Sequence, residues 1–322
     1  MRINVRRLTL TILGSLAALA ALVVWRMPEV YAWRWSWMSG KPGMTDAALT
    51  LAAPFQWADD YYAVADLGHG TYAIGEPRYG QCNVSYLIVG AKQALLFDSG
   101  PGLHDIRKVV LSLTSLPVLA IPSHLHFDHV GNLPRFAEVA LPDLPALRSQ
   151  QKDGTFALGM NQYLGFVEGF KRPSFRVTRW VPPETDIDLG NRRLTLLSVP
   201  GHTPDSVVLL DRESNALFAG DFIYPTAIYA FLPGANLSDY AASARTVAQR
   251  LDESTTVYGG HGCEHLPNVD VPILHRSDVV DLEKALTAAQ AGAPSAQSDW
   301  FPREIPVNTR MKLLAKYPWM SP

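Results

Sequence analysis

The chain has 322 residues, of which 48% are hydrophobic and 18% charged, with 28 Lys and Arg against 30 Asp and Glu. The formal net charge of −2 gives no basic footprint for a phosphate backbone, which argues against nucleic-acid binding, and the apolar fraction excludes a disordered chain. Two cysteines in a chain of this length exclude a disulfide scaffold.

The first predicted element is an uncharged apolar run over residues 8–25, which follows arginines at positions 2, 6 and 7. A helix of this length rises about 27 Å, close to a hydrocarbon thickness of about 30 Å. Fewer arginines follow the run than precede it. This asymmetry favours a topology with the N-terminus inside the cytoplasmic membrane and the rest of the chain, here called the body, outside it. We expect residues 1–37 to be a single-pass signal anchor of the cytoplasmic membrane with the body in a periplasm-like space, or a cleaved export signal. A buried apolar helix is the third interpretation.

Four tryptophans lie at or just beyond the end of this run: Trp25, Trp33, Trp35 and Trp37. They fit an aromatic belt at a membrane interface, and packing in a loop explains them almost as well. If residues 1–37 serve only as an anchor, their removal should leave a soluble and active body.

From about residue 60 short apolar runs alternate with helical faces. The strand-like runs are 72–75, 84–89, 94–97, 118–122, 194–199, 207–210, 216–219 and 256–258. Apolar positions with helical spacing begin at Ile106 and after the possible N-caps Ser238 and Ser277. This order predicts a layered α/β body over 60–265, with an inserted helical segment at about 143–180 and a C-terminal helical extension over 266–322.

The densest group of reactive side chains follows the run at 118–122 and reads SHLHFDH over residues 123–129. Imidazole nitrogens and carboxylate oxygens are ligands for a borderline divalent ion. The alternating spacing lets His124 and His126 point to one side while Asp128 and His129 turn to another. The segment therefore predicts a metal site.

Three more strand-like runs end in the same kind of residue, namely His202, Asp221 and His261. A fourth run ends in Asp98, before a tight turn. Because loops at one edge of a sheet bring functional groups together, we expect these residues to converge with the SHLHFDH segment around bound metal.

In this order, the H-x-H-x-D-H core with His, Asp and His downstream resembles the metallo-β-lactamase fold superfamily of metal-dependent hydrolases, in its glyoxalase II and lactonase-like branch. The resemblance covers about residues 68–265 and implies a four-layer αβ/βα sandwich, an α/β fold with a two-metal site at one edge of its two sheets. The ligands that it implies are His124, His126 and His202 for a first ion, Asp128, His129 and His261 for a second, and Asp221 as a bridge.

The resemblance also implies a supporting role for Asp98, which matches the family's D-[ST]-G motif. There the carboxylate orients a ligand histidine rather than binding metal itself. Two divalent ions are the implied cofactors. Zn is the first expectation. His and carboxylate ligands also suit Mn and Fe.

A pair of such ions defines the expected reaction. Two divalent ions about 3.5 to 4 Å apart can share a water, lower its pKa toward about 7, and direct the resulting hydroxide at a carbonyl carbon. Asp128 is the expected catalytic residue, which would accept a hydrogen bond from the hydroxide and later pass a proton to the leaving group. The chain is therefore expected to be a hydrolase of a small-molecule substrate, with no nucleic-acid partner.

The predicted substrate follows from Asp221. Penicillin-hydrolysing branches of the superfamily typically lack the bridging Asp, whereas thioesterases, lactonases and phosphodiesterases keep it. The resemblance thus favours ester, thioester or lactone substrates, with β-lactam amide hydrolysis as an alternative. An alternative of another class is an iron-dependent persulfide dioxygenase that uses mainly His124, His126 and His202; a non-catalytic metal-binding role is a third.

Four aromatic residues are candidates for the substrate pocket. Tyr163 and Phe166 lie on a helical spacing in the inserted segment, where a helix above the metal edge would form an apolar lid. Tyr224 and Tyr229 follow Asp221 in the chain. Packing in the core is the alternative role for all four.

The two cysteines are Cys82 and Cys263. They would pair if the body is exported to an oxidising compartment. The expectation from the sequence is nevertheless two unpaired, buried thiols.

Overall fold

The computed structural model describes residues 5–38, 41–45, 49–263, 265, 267–297 and 300–320. The elements before residue 143 are α1 (Val5–Trp25), α2 (Met27–Met38), β1 (Thr50–Leu51), β2 (Gln56–Trp57), β3 (Ala63–Gly68), β4 (Thr71–Gly75), β5 (Val84–Val89), β6 (Ala94–Phe97), α3 (Ile106–Leu113), β7 (Val118–Ile121), α4 (Phe127–Val130) and β8 (Glu138–Pro142).

A middle segment of short elements follows: α5 (Pro145–Arg148), β9 (Gln151–Lys152), β10 (Thr155–Ala157), α6 (Met160–Tyr163), a 3-10 turn (Gly165–Glu168), β11 (Ser174–Arg176) and β12 (Arg179–Val181). The remaining elements are β13 (Thr185–Asp188), β14 (Arg193–Ser198), β15 (Val207–Asp211), β16 (Ala216–Gly220), β17 (Thr226–Ala230), α7 (Leu237–Arg250), β18 (Thr256–Gly259), β19 (Asn268–Val269), β20 (Ile273–His275), α8 (Arg276–Gln290), β21 (Arg303–Pro306) and β22 (Met311–Ala315).

Two large sheets form the centre of the molecule. The first has eight strands in the order β12-β8-β7-β6-β5-β4-β3-β2, and the second has six in the order β13-β14-β15-β16-β18-β20. In the first sheet β6, β7 and β8 run parallel, so their carboxyl ends lie at the same edge. In the second sheet β16 and β18 are likewise parallel neighbours. All eight predicted strand runs are strands of these two sheets.

Three apolar clusters define the four layers. Side chains alternate along each strand, so that in β6 Leu95 and Phe97 face one cluster while Leu96 faces another. The cluster with Phe97 also holds Leu196 of the second sheet, so it fills the space between the sheets. The cluster with Leu96 lies under α3, and a third, with Val208, lies under α7 and α8. The predicted four-layer sandwich is confirmed.

The middle and C-terminal segments differ from their predicted helical character. Residues 143–180 contain a three-stranded sheet, β11-β10-β9, with only single helical turns. Two left-handed residues, Leu164 (φ 56°) and Gly169 (φ 76°), bound the 3-10 turn and prevent one continuous helix. In the described residues beyond 265, the short strands β19 and β20 and the helix α8 are followed by β21 and β22, which form a sheet with β17.

The N-caps of the last two helices also differ from prediction. Asn236, not Ser238, caps α7, because its side-chain oxygen accepts from the backbone of Ser238 and Asp239. Asp278 accepts from the backbone N–H of His275 at the start of α8, so the helix begins before Ser277.

The N-terminal helices α1 and α2 carry the predicted membrane segment. Among the described residues no single helix is long and apolar enough to cross a membrane. The helices Ile12–Trp25 and Met27–Met38, bent by 73° at the break between them, are together long and apolar enough, by length and composition only. The two helices differ in their packing, since α1 is exposed from Ile12 to Val23 whereas Ala32 of α2 is fully buried. The membrane anchor therefore stays a prediction.

Candidate metal centre

The seven predicted ligands lie together at the edge where the strands of both sheets end. His124 and His126 follow β7, and Asp128 and His129 lie in the single-turn helix α4. The other three, His202, Asp221 and His261, follow β14, β16 and β18 of the second sheet. All seven side chains are buried. The site is therefore assembled between the two sheets from four separate loops.

His124, His126 and His202 form a first group, in which one possible ligand atom from each lies within 4.8 Å of the others. His202 Nε2 is 3.1 Å from His126 Nδ1. His202 Nδ1 lies 2.6 Å from the carbonyl oxygen of Tyr229. Because a carbonyl only accepts, Nδ1 carries the proton and donates, which leaves the lone pair on Nε2 facing the group.

Asp128, His129 and His261 form a second group by the same criterion. His129 Nε2 lies 3.3 Å from Asp128 Oδ2. His261 Nε2 lies 3.7 Å from the same oxygen. Two imidazoles and a carboxylate thus form a second set of possible metal ligands.

Asp221 lies between the two groups and presents one oxygen to each. Its Oδ2 is 3.6 Å from His202 Nε2. Its Oδ1 is 3.3 Å from His129 Nε2 and 3.0 Å from His261 Nε2. Gly220 makes this position accessible, because it has φ 51° and an added Cβ would lie 2.3 Å from Ser123 Cβ. Asp221 thus has one oxygen within reach of each group.

Other side chains hold the ligands in place. Asp98 Oδ2 lies 3.0 Å from His129 Nδ1, and Asp98 Oδ1 accepts from the backbone N–H of Ser123 at 2.6 Å. Asn83 donates from Nδ2 to Asp128 Oδ2 at 3.1 Å and to the Asp128 carbonyl at 2.9 Å. Asp98 therefore lies behind His129 and orients its ring; the resemblance implied such a role toward a histidine without specifying which one.

Burial and charge act differently on the two groups. Burial lowers the pKa of His124 well below its usual value and that of His126 to about 3, with neighbouring imidazoles lowering both further. For His129 burial also acts downward, but Asp128, Asp98 and Asp221 outweigh it and raise the pKa well above its usual value. The first group is thus neutral imidazole, whereas the second group places positive charge among carboxylates.

The donor set fits divalent metal ions. Among the described residues, Nε2 of His124, His126 and His129 and Oδ1 of Asp221 are buried without a hydrogen-bond partner. A buried polar atom without a hydrogen-bond partner destabilises the fold. Several such atoms that face one another therefore indicate a bound group that contacts all of them. Nitrogen lone pairs and carboxylate oxygens together are the donors that Zn, Mn or Fe accepts.

The centre lies at the base of a cavity of about 190 Å³. Its floor includes His126, Asp128, His202, Asp221 and His261. Its walls are Trp35, Gly80, Gln81, Phe127, Leu164, Val167, Tyr224, Thr226, Ala227, Tyr229, Leu232 and Cys263. The walls are largely apolar, so the cavity suits an uncharged group next to the reacting bond.

Two of the four predicted pocket residues line this cavity and two do not. Tyr224 and Tyr229 are in the wall. Tyr163 and Phe166 instead line a separate cleft on the other side of the segment. Their neighbours Leu164 and Val167 face the metal centre, because the left-handed turn at Leu164 reverses the direction of the side chains.

Trp35 is a wall residue that the sequence argument assigned to a membrane interface or a loop. It lies in α2 and makes an edge-to-face contact with Tyr229, with ring centroids 6.3 Å apart. Ser36 of the same helix donates to the carbonyl of Phe166 at 2.9 Å. Helix α2 therefore contributes to the pocket wall, and the soluble, active body expected on removal of residues 1–37 stays a prediction.

The cysteines are paired, contrary to the expectation of two free thiols. Cys82 and Cys263 form a disulfide with Cα atoms 5.6 Å apart. The loops that follow β4 and β18 meet beside His261, and this tertiary contact brings together two residues 181 positions apart. Asn83 and Gln81 escaped sequence reasoning, since no local pattern marks them, whereas the disulfide was the alternative expected for an exported body.

The fold and this donor set define a class of metallo-hydrolases. Residues 79–261 match the family model of the metallo-beta-lactamase superfamily, and the chain belongs to that superfamily.

Its relatives include hydrolases of thioesters. The chain is 32% identical over 228 residues to the acyl-coenzyme A thioesterase MBLAC2 of Gallus gallus, covering 63% of this chain and 81% of the relative. It is 26% identical over 196 residues to the hydroxyacylglutathione hydrolase GloC of Haemophilus influenzae, covering 56% of this chain and 86% of the relative. The crystal structure of VMB-1 superposes with a TM-score of 0.54 at 15% identity, covering 72% of this chain and 99% of that chain, a similarity of fold.

Proposed function

We propose that the chain is a binuclear metal-dependent hydrolase that cleaves acyl thioesters, with lactones and aryl esters as further substrates. The observation that carries the proposal is the position of Asp221, whose two oxygens face two separate groups of ligand-type side chains. A site for one ion would need only one of these groups.

Each residue has an assigned task in this proposal. A first ion is held by His124, His126 and His202, a second by Asp128, His129 and His261, and Asp221 joins them; Zn is the favoured metal, and Mn or Fe also suits the donors. When bound, such ions lower the pKa of a shared water and polarise the carbonyl group under attack.

In this proposal Asp128 transfers the proton from the attacking water to the leaving group. The pKa of Asp128 is held below its usual range, because His129 and His261 outweigh the opposing effect of burial. Its Oδ2 is fixed by Asn83 at 3.1 Å, so the carboxylate has a defined orientation. A carboxylate held in this way can take a proton from the attacking water and release it to the thiolate or alkoxide that leaves.

The walls of the cavity support an acyl substrate. Trp35, Leu164 and Val167 place apolar surface beside the metal centre, where it excludes water and accommodates an alkyl group. A thioester has a good leaving group, so holding its acyl part next to the centre supplies much of what catalysis requires. The relatives named as acyl-coenzyme A thioesterase and hydroxyacylglutathione hydrolase support the same substrate class.

Two alternatives predict different outcomes. β-Lactam amide hydrolysis would use the same ions with a different shape of wall. A one-iron oxidoreductase would use mainly the first group, and it leaves the convergence of Asp128, His129 and His261 without a purpose.

The test is a substrate panel combined with metal analysis. The zinc-loaded full chain in detergent should contain close to two ions, and kcat/KM should be highest for acyl-coenzyme A or aryl thioesters, then lactones, then penicillins, and lowest for phosphodiesters. A preference of about tenfold or more for β-lactams over every ester would reject the substrate assignment. A single tightly bound iron, with oxidation of a persulfide, would reject the hydrolase.

We also propose that α1 anchors the body outside the cytoplasmic membrane, or is removed after directing export. The apolar run behind three arginines supports this, and so does the disulfide, because such bonds persist in oxidising compartments. A reporter fused after Pro322 should be active only outside the cytoplasm; activity only inside would overturn the orientation.

The boundary between anchor and enzyme should lie between α1 and α2. Removal of residues 1–25 should preserve activity, whereas removal of 1–37 also deletes Trp35 and should raise KM by about tenfold or more, since it opens the pocket wall. Equal kinetics for the two truncations would show that α2 does not contribute to substrate binding.

A further inference from the structure

The disulfide lies beside the second group of ligands and joins the two loops that hold it. One loop, residues 76–83, follows β4, and the other, residues 260–263, follows β18. Cys82 is buried, whereas Cys263 is half-buried and lines the cavity. The bond is thus part of the wall of the metal pocket.

The two loops run side by side next to the disulfide. The backbone N–H of Gly262 donates to the Cys82 carbonyl at 3.0 Å, and that of Val84 donates to the Gly260 carbonyl at 2.8 Å. Asn83 and His261 form an isolated antiparallel bridge between them. His261 therefore lies within the stretch that the disulfide fastens to the loop at 76–83.

This loop determines which nitrogen of His261 faces the site. His261 Nδ1 lies 2.8 Å from the carbonyl oxygen of Gln81, the residue before Cys82. Because that oxygen only accepts, Nδ1 donates to it, and this bond fixes the ring so that Nε2 points toward Asp221 Oδ1 at 3.0 Å. The neighbour on the other side of Cys82, Asn83, donates to Asp128. Two of the three second-group side chains are thus held by residues adjoining one cysteine.

The conformation of Cys82 shows that this loop needs an external support. Cys82 has φ 46°, in the left-handed region that residues with a Cβ rarely adopt. Such a conformation persists only where surrounding contacts fix it, and the disulfide is the covalent one among them.

The first group takes its support elsewhere. His202 is oriented by the carbonyl of Tyr229, which lies in β17, and His124 Nδ1 lies 3.0 Å from Ser123 Oγ. Strand β17 pairs along its whole length with β22. Loosening of the loop at 76–83 should therefore affect the two groups unequally.

We infer that the Cys82–Cys263 disulfide positions His261 and Asp128 for the second ion, so that breaking the bond weakens this ion's binding and spares the first. The inference rests on the binuclear function proposed above. A phosphine reductant breaks the S–S bond, supplies the two electrons and becomes a phosphine oxide with oxygen from water, and the sulfurs take up two protons as thiols. The loops are then joined by non-covalent contacts alone.

The experiment compares the full chain in detergent with the double variant Cys82→Ser/Cys263→Ser, which has neither the bond nor thiols that could bind metal themselves. Leu286→Ala, in the core beneath α8, is the control for general destabilisation. Each metal-free protein is titrated with Zn²⁺ against a competing chelator. In parallel, imidazole NMR of metal-free protein reports the Nδ1–H of His261, a readout independent of metal and activity.

We expect the double variant to bind its first zinc as the wild type does and its second about tenfold or more weakly, with loss of the protected Nδ1–H signal. Phosphine treatment of the metal-free wild type should likewise remove the protected Nδ1–H signal, and Leu286→Ala should retain both ions. An unchanged Nδ1–H signal with two unchanged zinc affinities in the double variant overturns the inference. A wild type that binds only one zinc, but whose Nδ1–H signal depends on the disulfide, supports the positioning of His261 and refutes the binuclear function instead.

Discussion

The two groups of ligands differ in what holds them. His202, in the first group, is oriented by the carbonyl of Tyr229, part of the paired strand β17. The second group depends on side chains and loops: Asp98 behind His129, Asn83 on Asp128, and Gln81 of a disulfide-bonded loop on His261. The carbonyl of a paired strand is not altered by a side-chain substitution, whereas Asp98, Asn83 and the disulfide next to Gln81 can each be replaced. The second group is therefore the adjustable half of the centre.

The electrostatics follow the same division. Burial keeps the first group's imidazoles neutral by lowering the pKa of His124 and His126. Three carboxylates around His129 overcome burial and raise its pKa. An ion bound by the first group would meet imidazoles that are already neutral. An ion bound by the second group would have to displace the proton of His129, which the surrounding carboxylates stabilise. We expect the second ion's affinity to depend more strongly on pH.

The largest effect should come from the residue that the two groups share. Asp221→Ala removes a ligand from both groups, so activity should fall by about a thousandfold or more and the metal content should drop below two ions. The control is His69→Asn, an exposed histidine with φ 50° whose replacement tolerates this conformation. Kinetics and metal analysis of both variants check the prediction; near-normal turnover by Asp221→Ala would remove the shared bridge from the mechanism.

Prediction from sequence succeeded where the signal was local. The segment 123–129 carries four ligand-type side chains in seven residues, and His202, Asp221 and His261 each end a strand whose apolar run is visible. The position of Trp35 in the pocket could not be predicted, and the pairing of the cysteines only conditionally, because each depends on a tertiary contact between distant segments. The helical spacing around Tyr163 predicted one continuous helix. It did not reveal the left-handed residue Leu164, which ends the helix after one turn.

An intermediate effect should follow from Asp98→Asn. The amide oxygen retains the contact with the Ser123 N–H, but the charge next to His129 Nδ1 is lost. Removal of such a supporting carboxylate typically weakens metal binding by about 10- to 100-fold. The loss should fall on the second ion only, which sequential zinc titration resolves. Asp66→Asn, at an exposed position of β3, is the matched control, and an equal loss at both ions would contradict the division between the groups.

The smallest expected effect on activity comes from Glu76, a buried carboxyl behind the second group, whose predicted effect is on stability. It accepts a hydrogen bond from Tyr61 at 2.6 Å, and its other oxygen has no hydrogen-bond partner among the described residues. Burial raises the pKa of Glu76 from 4.5 to about 8, with Asp128 acting in the same direction and Tyr61 and His129 against it. In the folded metal-free protein this group therefore stays protonated at neutral pH.

The sign of the pH dependence follows from this shift. Below pH 4.5 Glu76 is protonated in both the folded and the unfolded protein; between there and about 8 only the folded form keeps the proton. Its contribution to stability is therefore full at low pH and is lost as pH rises through this window, by about 1 kcal/mol per pH unit. Glu76→Gln keeps the shape and the acceptor for Tyr61 but cannot ionise, so the variant should gain stability over the wild type as pH rises from 5 to 8. Urea denaturation of the metal-free proteins at several pH values measures this difference, with the exposed Glu138→Gln as a control that should follow the wild type. Parallel curves for wild type and Glu76→Gln would mean that Glu76 is already ionised in the folded state, which places one more negative charge beside the second group.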